Sequence, residues 1–150
     1  MISLVAPALA VLAVTWLGAL VAAPYLPVWV AGPLYVFSSF VCHQLADRSF
    51  HFGAVQLPVC ARCIGIYGGA AIGAVAAFVG PLPGSRKATL VIAVTAVPTA
   101  VTLILEWASA WFPSNTARAL AGATLGLALA HVLVDATRPA GPRTASPTLD

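Results

Sequence analysis

Cys60 and Cys63 form a C-x-x-C in the stretch PVCARCIGIY, and Cys42 with His43 precedes them in FVCHQLADRSF. These are all the cysteines of the chain. Residues three apart share one face of a helix, so the sulfurs of Cys60 and Cys63 can reach a single point. In the first turn of a helix, free N–H groups and the helix dipole favour the thiolate. The thiolate is the form that binds soft metals and the form that attacks disulfides. Two chemistries follow. Cys42, Cys60, Cys63 and one histidine supply the four ligands that zinc takes, while three thiolates alone suit Cu(I). Alternatively, Cys60 and Cys63 cycle between dithiol and disulfide, Cys42 exchanges with a substrate, and a quinone accepts the electrons. The odd number of cysteines leaves one thiol over in any purely disulfide framework. Reading them as small buried hydrophobes does not explain why all three fall within residues 42–63.

His43 meets a geometric obstacle. Neighbouring side chains diverge by about 100° on a regular helix, so Cys42 and His43 share an ion only where a helix frays or ends. Otherwise His43 supports the ligands or is a hydrogen-bonded interfacial histidine, and His51 or water completes the site. Glu106 closes a later apolar run and Arg118 opens the next. They read as an ion pair tying two helices, or as a carboxylate supporting the cysteines. Arg48 is grouped with them, a solvated turn with Asp47 being the plainer reading. His131 lies roughly 20 Å of helix away from Arg118 and is excluded.

These residues sit in a chain that cannot coat itself for water. Of its 150 residues, 61% are hydrophobic and 7% charged, with a mean hydropathy of +0.98. Soluble domains carry about 25% charged residues, so the composition implies an integral membrane protein in contact with the lipid bilayer. The formal charge of +3 is too small and scattered to bind nucleic acid. Residues 4–23 form an apolar run long enough to cross a core of roughly 30 Å. A cleaved signal peptide is the rival reading, opposed by the lack of Lys or Arg ahead of the run. Residues 25–41 are apolar but interrupted by Pro27, Gly32 and Pro33. Pro33 is expected to open a short helix to about residue 43, interfacial or re-entrant because it is too short to span.

Further spans are expected at about 59–79, 88–106 and 116–134. The first of these carries Gly65, Gly69 and Gly73, and the last Gly122 and Gly126. Small residues at that spacing let helix backbones approach closely in lipid. Residues 80–87 read as a turn, Pro98 as a kink, and Ser114 or Asn115 as the cap of the last helix. The fold class is thus an all-α integral membrane protein with four transmembrane helices and one short helix, in a single domain over 1–136. Residues 137–150 read as a disordered polar tail. Arg86, Lys87, Arg138 and Arg143 lie on one side, against Arg48, Arg62 and Arg118 on the other. The larger count is expected to be cytoplasmic, which places the Cys/His loop outside the cell membrane.

At CHQLADRSF, PVCARCIGIYGG and SNTARALAG the chain resembles a family of small prokaryotic membrane proteins, domain of unknown function 2085. Its pattern of CHQ, RSF, PVCARCTGIY-x-G, a later proline and acidic residue, and S-N-x-x-R-x-x-x-G falls on Cys42, His43, Gln44, Arg48, Ser49, Phe50, Cys60, Arg62, Cys63, Gly65, Tyr67, Pro98, Ser114, Asn115, Arg118 and Gly122. Ile64 stands where the family has threonine, and Glu106 where it has aspartate. The resemblance implies the membrane class and the grouping of these residues, but no activity. The leading functional expectation is metal binding, zinc foremost, through Cys42, His43, Cys60 and Cys63, in a structural or metal-handling role. The alternatives are a thiol–disulfide oxidoreductase and an accessory subunit of a membrane complex or homo-oligomer, packing through its small-residue faces.

Overall fold

The computed structural model describes residues 4–80 and 85–138. Among them are five α-helices: α1 Val5–Ala22, α2 Val28–Ser39, α3 Ala61–Ala76, α4 Ser85–Trp107 and α5 Asn115–Thr137. Three apolar stretches, Val5–Tyr25, Lys87–Trp107 and Asn115–Thr137, are long enough to cross a membrane. The 16-residue α3 is shorter than the expected span at 59–79, and is about 24 Å long at 1.5 Å per residue. Pro58, Val59 and Cys60 precede it outside the helix.

Two expectations need correction. The chain is not purely α-helical: His51–Phe52 (β1) and Val55–Gln56 (β2) form an antiparallel hairpin. Gly53 turns it at φ +60°, a conformation open to residues without a Cβ. The short helix also begins earlier than residue 33. Pro27, in extended conformation, caps α2, and Pro33 lies inside it rather than opening it. A proline there leaves one carbonyl of the preceding turn without its helical donor. Residues 81–84 of the expected turn and 139–150 of the expected tail lie outside the described residues, while Arg86 and Lys87 belong to α4.

The packing centres on α3 and α5. A Cβ on Gly65, Gly69 or Gly73 would lie 2.0, 2.1 or 2.1 Å from the carbonyl oxygens of Ala119, Ala123 and Leu127. Reciprocally, Cβ atoms on Gly122 and Gly126 would lie 2.3 and 2.0 Å from the carbonyl oxygens of Arg62 and Ile66. The two glycine stripes therefore interlock backbone to backbone. Numbers rise together along both helices, so they run parallel, with α4 as the connection between them. Thr99 donates to the Ala121 carbonyl at 2.7 Å and Thr124 to the Thr95 carbonyl at 2.9 Å, fastening α4 to α5. Helix α1 runs the other way across α3. Ala6 and Ala10 cluster with Ala74, Ala77 and Val134, and Leu20 with Cys42 and Val59 at the opposite end. Trp16 stands edge-on to both Phe37 and Tyr67, so α2 docks on the same seam.

The outer surface is apolar: Leu12, Ile72, Leu90 and Ile104 are all exposed. Tyr25, Trp29, Trp107, Trp111 and Phe112 are exposed too, at the end of the bundle that carries the cysteines. That is the place of an interfacial aromatic belt.

Candidate metal centre

Cys42 follows the end of α2, its backbone N–H donating to the Ser38 carbonyl at 2.9 Å. It is buried against Leu20 and Val59. Cys60 is the residue that caps α3, and Cys63 lies in its first turn, so only one of the two cysteines is within the helix. The sulfurs of Cys42, Cys60 and Cys63 all lie within 4.8 Å of one another. The Cys60 backbone N–H donates to the Cys42 sulfur at 3.1 Å. Zinc–sulfur bonds of about 2.3 Å place tetrahedral sulfurs about 3.8 Å apart, so closure on an ion needs shifts of at most about 1 Å. The neighbouring Cys63 thiol brings the Cys60 thiol down to about 5; burial opposes this, and the backbone N–H of Cys63 assists.

His43, just beyond the helix end, is exposed and stands outside the converging group, as does His51 on the exposed strand β1. His43 nevertheless lines the cavity that opens beside the cysteines.

The loop between α2 and α3 is held by side-chain amides. Gln44 adopts φ +51°, unusual for a residue with a Cβ. Its amide nitrogen donates to the carbonyls of Tyr35 and Pro58, both at 2.8 Å. Gln56 returns the favour by donating to the Gln44 carbonyl at 2.7 Å and the Ser49 hydroxyl at 3.1 Å. The Tyr35 hydroxyl donates to the Gln56 carbonyl. The hairpin thus clamps the end of α2 against the start of α3, which brings Cys42 to the C-x-x-C.

A charged cluster lies on the other side of the same cavity. Glu106 is buried, its side chain 2% exposed. It accepts from Arg62 at 2.7 Å and from two nitrogens of Arg118 at 2.8 and 2.6 Å. Arg48 approaches the same carboxylate at 3.9 Å. Arg62 also donates to Thr102 at 3.3 Å. Arg118 donates to the Asn115 side chain at 2.9 Å, which donates in turn to the Ser49 carbonyl at 3.0 Å. Ser114, not Asn115, caps α5 by accepting from the Ala117 N–H at 3.2 Å. The Glu106–Arg118 pair is as the sequence implies, and Arg62 is an additional partner. A cation in the first turn of an apolar helix opposes the helix dipole, and that was the available signal.

The cavity measures about 410 Å³. Cys42, Cys60, Cys63, His43, Arg48 and Arg62 line it together with the apolar Val41, Leu45, Leu103 and Trp107.

Residues 42–132 match the model of a family described as "Predicted membrane protein (DUF2085)". An uncharacterized protein of Methanocaldococcus jannaschii is 48% identical over 40 residues, 27% of this chain and 26% of that protein. The chain thus spans about a quarter of that relative's length. An uncharacterized protein of Methanothermobacter thermautotrophicus is 30% identical over 91 residues, 61% of this chain and 82% of that protein. No solved structure matches. The matched region runs from Cys42 through the C-x-x-C, Glu106 and Arg118, and the chain belongs to the DUF2085 family of predicted membrane proteins.

Proposed function

We propose that Cys42, Cys60 and Cys63 hold one metal ion, zinc foremost with Cu(I) as the alternative. The ion clamps the loop to α3 or is handled in transit. The observation that carries this reading is the convergence of three thiols from separate elements within 4.8 Å. Soft sulfur donors in that number suit zinc and Cu(I) far better than oxygen-seeking ions. His43, lining the same cavity, is the protein group available for the fourth position. In this reading α3 is a fourth span, supported by its packing along α5. The centre then faces the extracytoplasmic side.

Elemental analysis of detergent-purified protein, with thiols counted on the same sample, tests it. About one zinc per chain is expected. Each Cys→Ser change should lower bound metal by a similar large factor, because one site needs all its ligands. His43→Ala should do the same if the imidazole is a ligand, and cost only about 10- to 100-fold in affinity if it supports one. Metal-free protein with a Cys60–Cys63 disulfide would overturn the reading.

That last result would favour the second reading, a thiol–disulfide oxidoreductase. The lowered Cys60 thiol favours it, since the thiolate is the attacking species. Closing the disulfide releases two electrons and two protons, which a quinone takes up as quinol.

A further inference from the structure

The charges around the cavity do not balance. Arg48, Arg62 and Arg118 bring three positive charges to one carboxylate, Glu106. Arg62 and Arg118 are held by hydrogen bonds to it. Arg48 is not: its contacts with Glu106 and Asp47 are 3.9 and 3.7 Å, and its buried Nε has no hydrogen-bond partner. The Nε of Arg62 is likewise buried and unpartnered. The side chains of Asp47 and Arg48 are 76% and 36% exposed, so solvent screens both of these charges. Both arginines line the cavity. Its volume of about 410 Å³ lies within the roughly 300–1,000 Å³ of small-molecule sites. Val41, Leu45, Leu103 and Trp107 give it an apolar stretch of wall.

We propose that this cavity binds an amphiphilic oxyanion. A carboxylate or phosphate group sits against Arg48 and Arg62, and its apolar body lies along Leu103 and Trp107. The guanidinium fork matches both oxyanions, and two such side chains line this one cavity. The occupant reaches the cysteines from the same cavity, so the metal reading gives it an ion to approach. The arginine site does not depend on that reading. The shared chemistry has two sources, a free organic acid and the headgroup of an anionic lipid.

The test uses the full chain in detergent, zinc-loaded and after chelation, and compares wild type with Arg48→Gln and Arg48→Lys. Arg48 holds no side-chain partner within hydrogen-bond reach, so its loss should leave folding and zinc content unchanged. Calorimetric titration with hexanoate, with hexanol as the uncharged control, reads the free-acid source. Native mass spectrometry of retained phosphatidylglycerol against phosphatidylcholine reads the lipid source. Binding of either anion, weakened about tenfold or more in Arg48→Gln and less in Arg48→Lys, supports the site and names its source. No binding of either anion, or equal binding by Arg48→Gln, overturns it. Anion binding by protein that takes up no zinc on loading would remove the metal reading alone.

Discussion

Glu106 is the carboxylate on which two buried guanidinium groups depend. Arg62 comes from the first turn of α3 and Arg118 from the first turn of α5, so both cations oppose the dipoles of their own helices. Glu106, at the end of α4, joins all three helices through one side chain. Glu106→Gln removes the charge and leaves two buried cations unpaired, a class of change that costs about 3–5 kcal/mol. Thermal unfolding in detergent should show a large loss, and Glu106→Asp should recover only part of it. A melting temperature unchanged in Glu106→Gln would mean that solvent or lipid compensates both arginines. The pairing of Glu106 with Arg118 was legible because charges within apolar segments seek partners. Arg62 was not, because it stands between the two cysteines of the C-x-x-C, where the spacing speaks for the sulfurs and not for a partner of Glu106. Gln44 was invisible for another reason. Its left-handed backbone and two long-range carbonyl contacts leave no periodic trace in the sequence.

The glycine stripes of α3 and α5 show what spacing can and cannot tell. A repeat of four announces a face open to close approach. It does not say which helix fills that face. The partners are each other: the glycine faces of α3 and α5 pack together within the chain. Because Cys60, Arg62 and Cys63 sit at the start of α3 and Arg118 at the start of α5, this seam also sets the geometry of the site. Gly69→Ala would place a Cβ 2.1 Å from a backbone oxygen of Ala123. The helices must then part by about 1 Å, and overpacking of this kind typically costs about 1–3 kcal/mol. Gly68→Ala is the matched control, since its Cβ would meet nothing within 4 Å. Gly69→Ala should lower both thermal stability and bound metal, and Gly68→Ala neither. Equal behaviour of the two variants would show that the seam tolerates separation. The hairpin at 51–56 escaped notice because two-residue strands are too short to display alternation, although Gly53 marked its turn.

Direction along the bundle fixes which groups share a membrane face. The cysteine end gathers the end of α1, the α2 loop, the start of α3, the end of α4 and the start of α5. The opposite end holds Arg86, Lys87 and Arg138. Arg138 reaches the Ala77 carbonyl there and stands 5.6 Å over Phe78. Counted in the sequence alone, four basic residues face three, a thin margin. The structure changes what those three represent. Arg62 and Arg118 lie within helices, with side chains 13% and 7% exposed, so they are interior groups rather than charges flanking a span. The positive-inside rule counts charges that flank the spans, which leaves Arg48 on the cysteine side against Arg86, Lys87 and Arg138 on the other. The cysteine end should therefore be extracytoplasmic. The reporter must be chosen by burial: Cys42 is 6% exposed, whereas Cys60 and Cys63 are half-buried. A membrane-impermeant maleimide, applied to intact cells after chelation and reduction, should label a variant whose only cysteine is Cys60. A cysteine-free variant carrying Ser146→Cys in the tail should react only after lysis. The reverse pattern, tail labelled first and Cys60 after lysis, would turn the molecule over in the membrane and put the candidate metal centre in the cytoplasm.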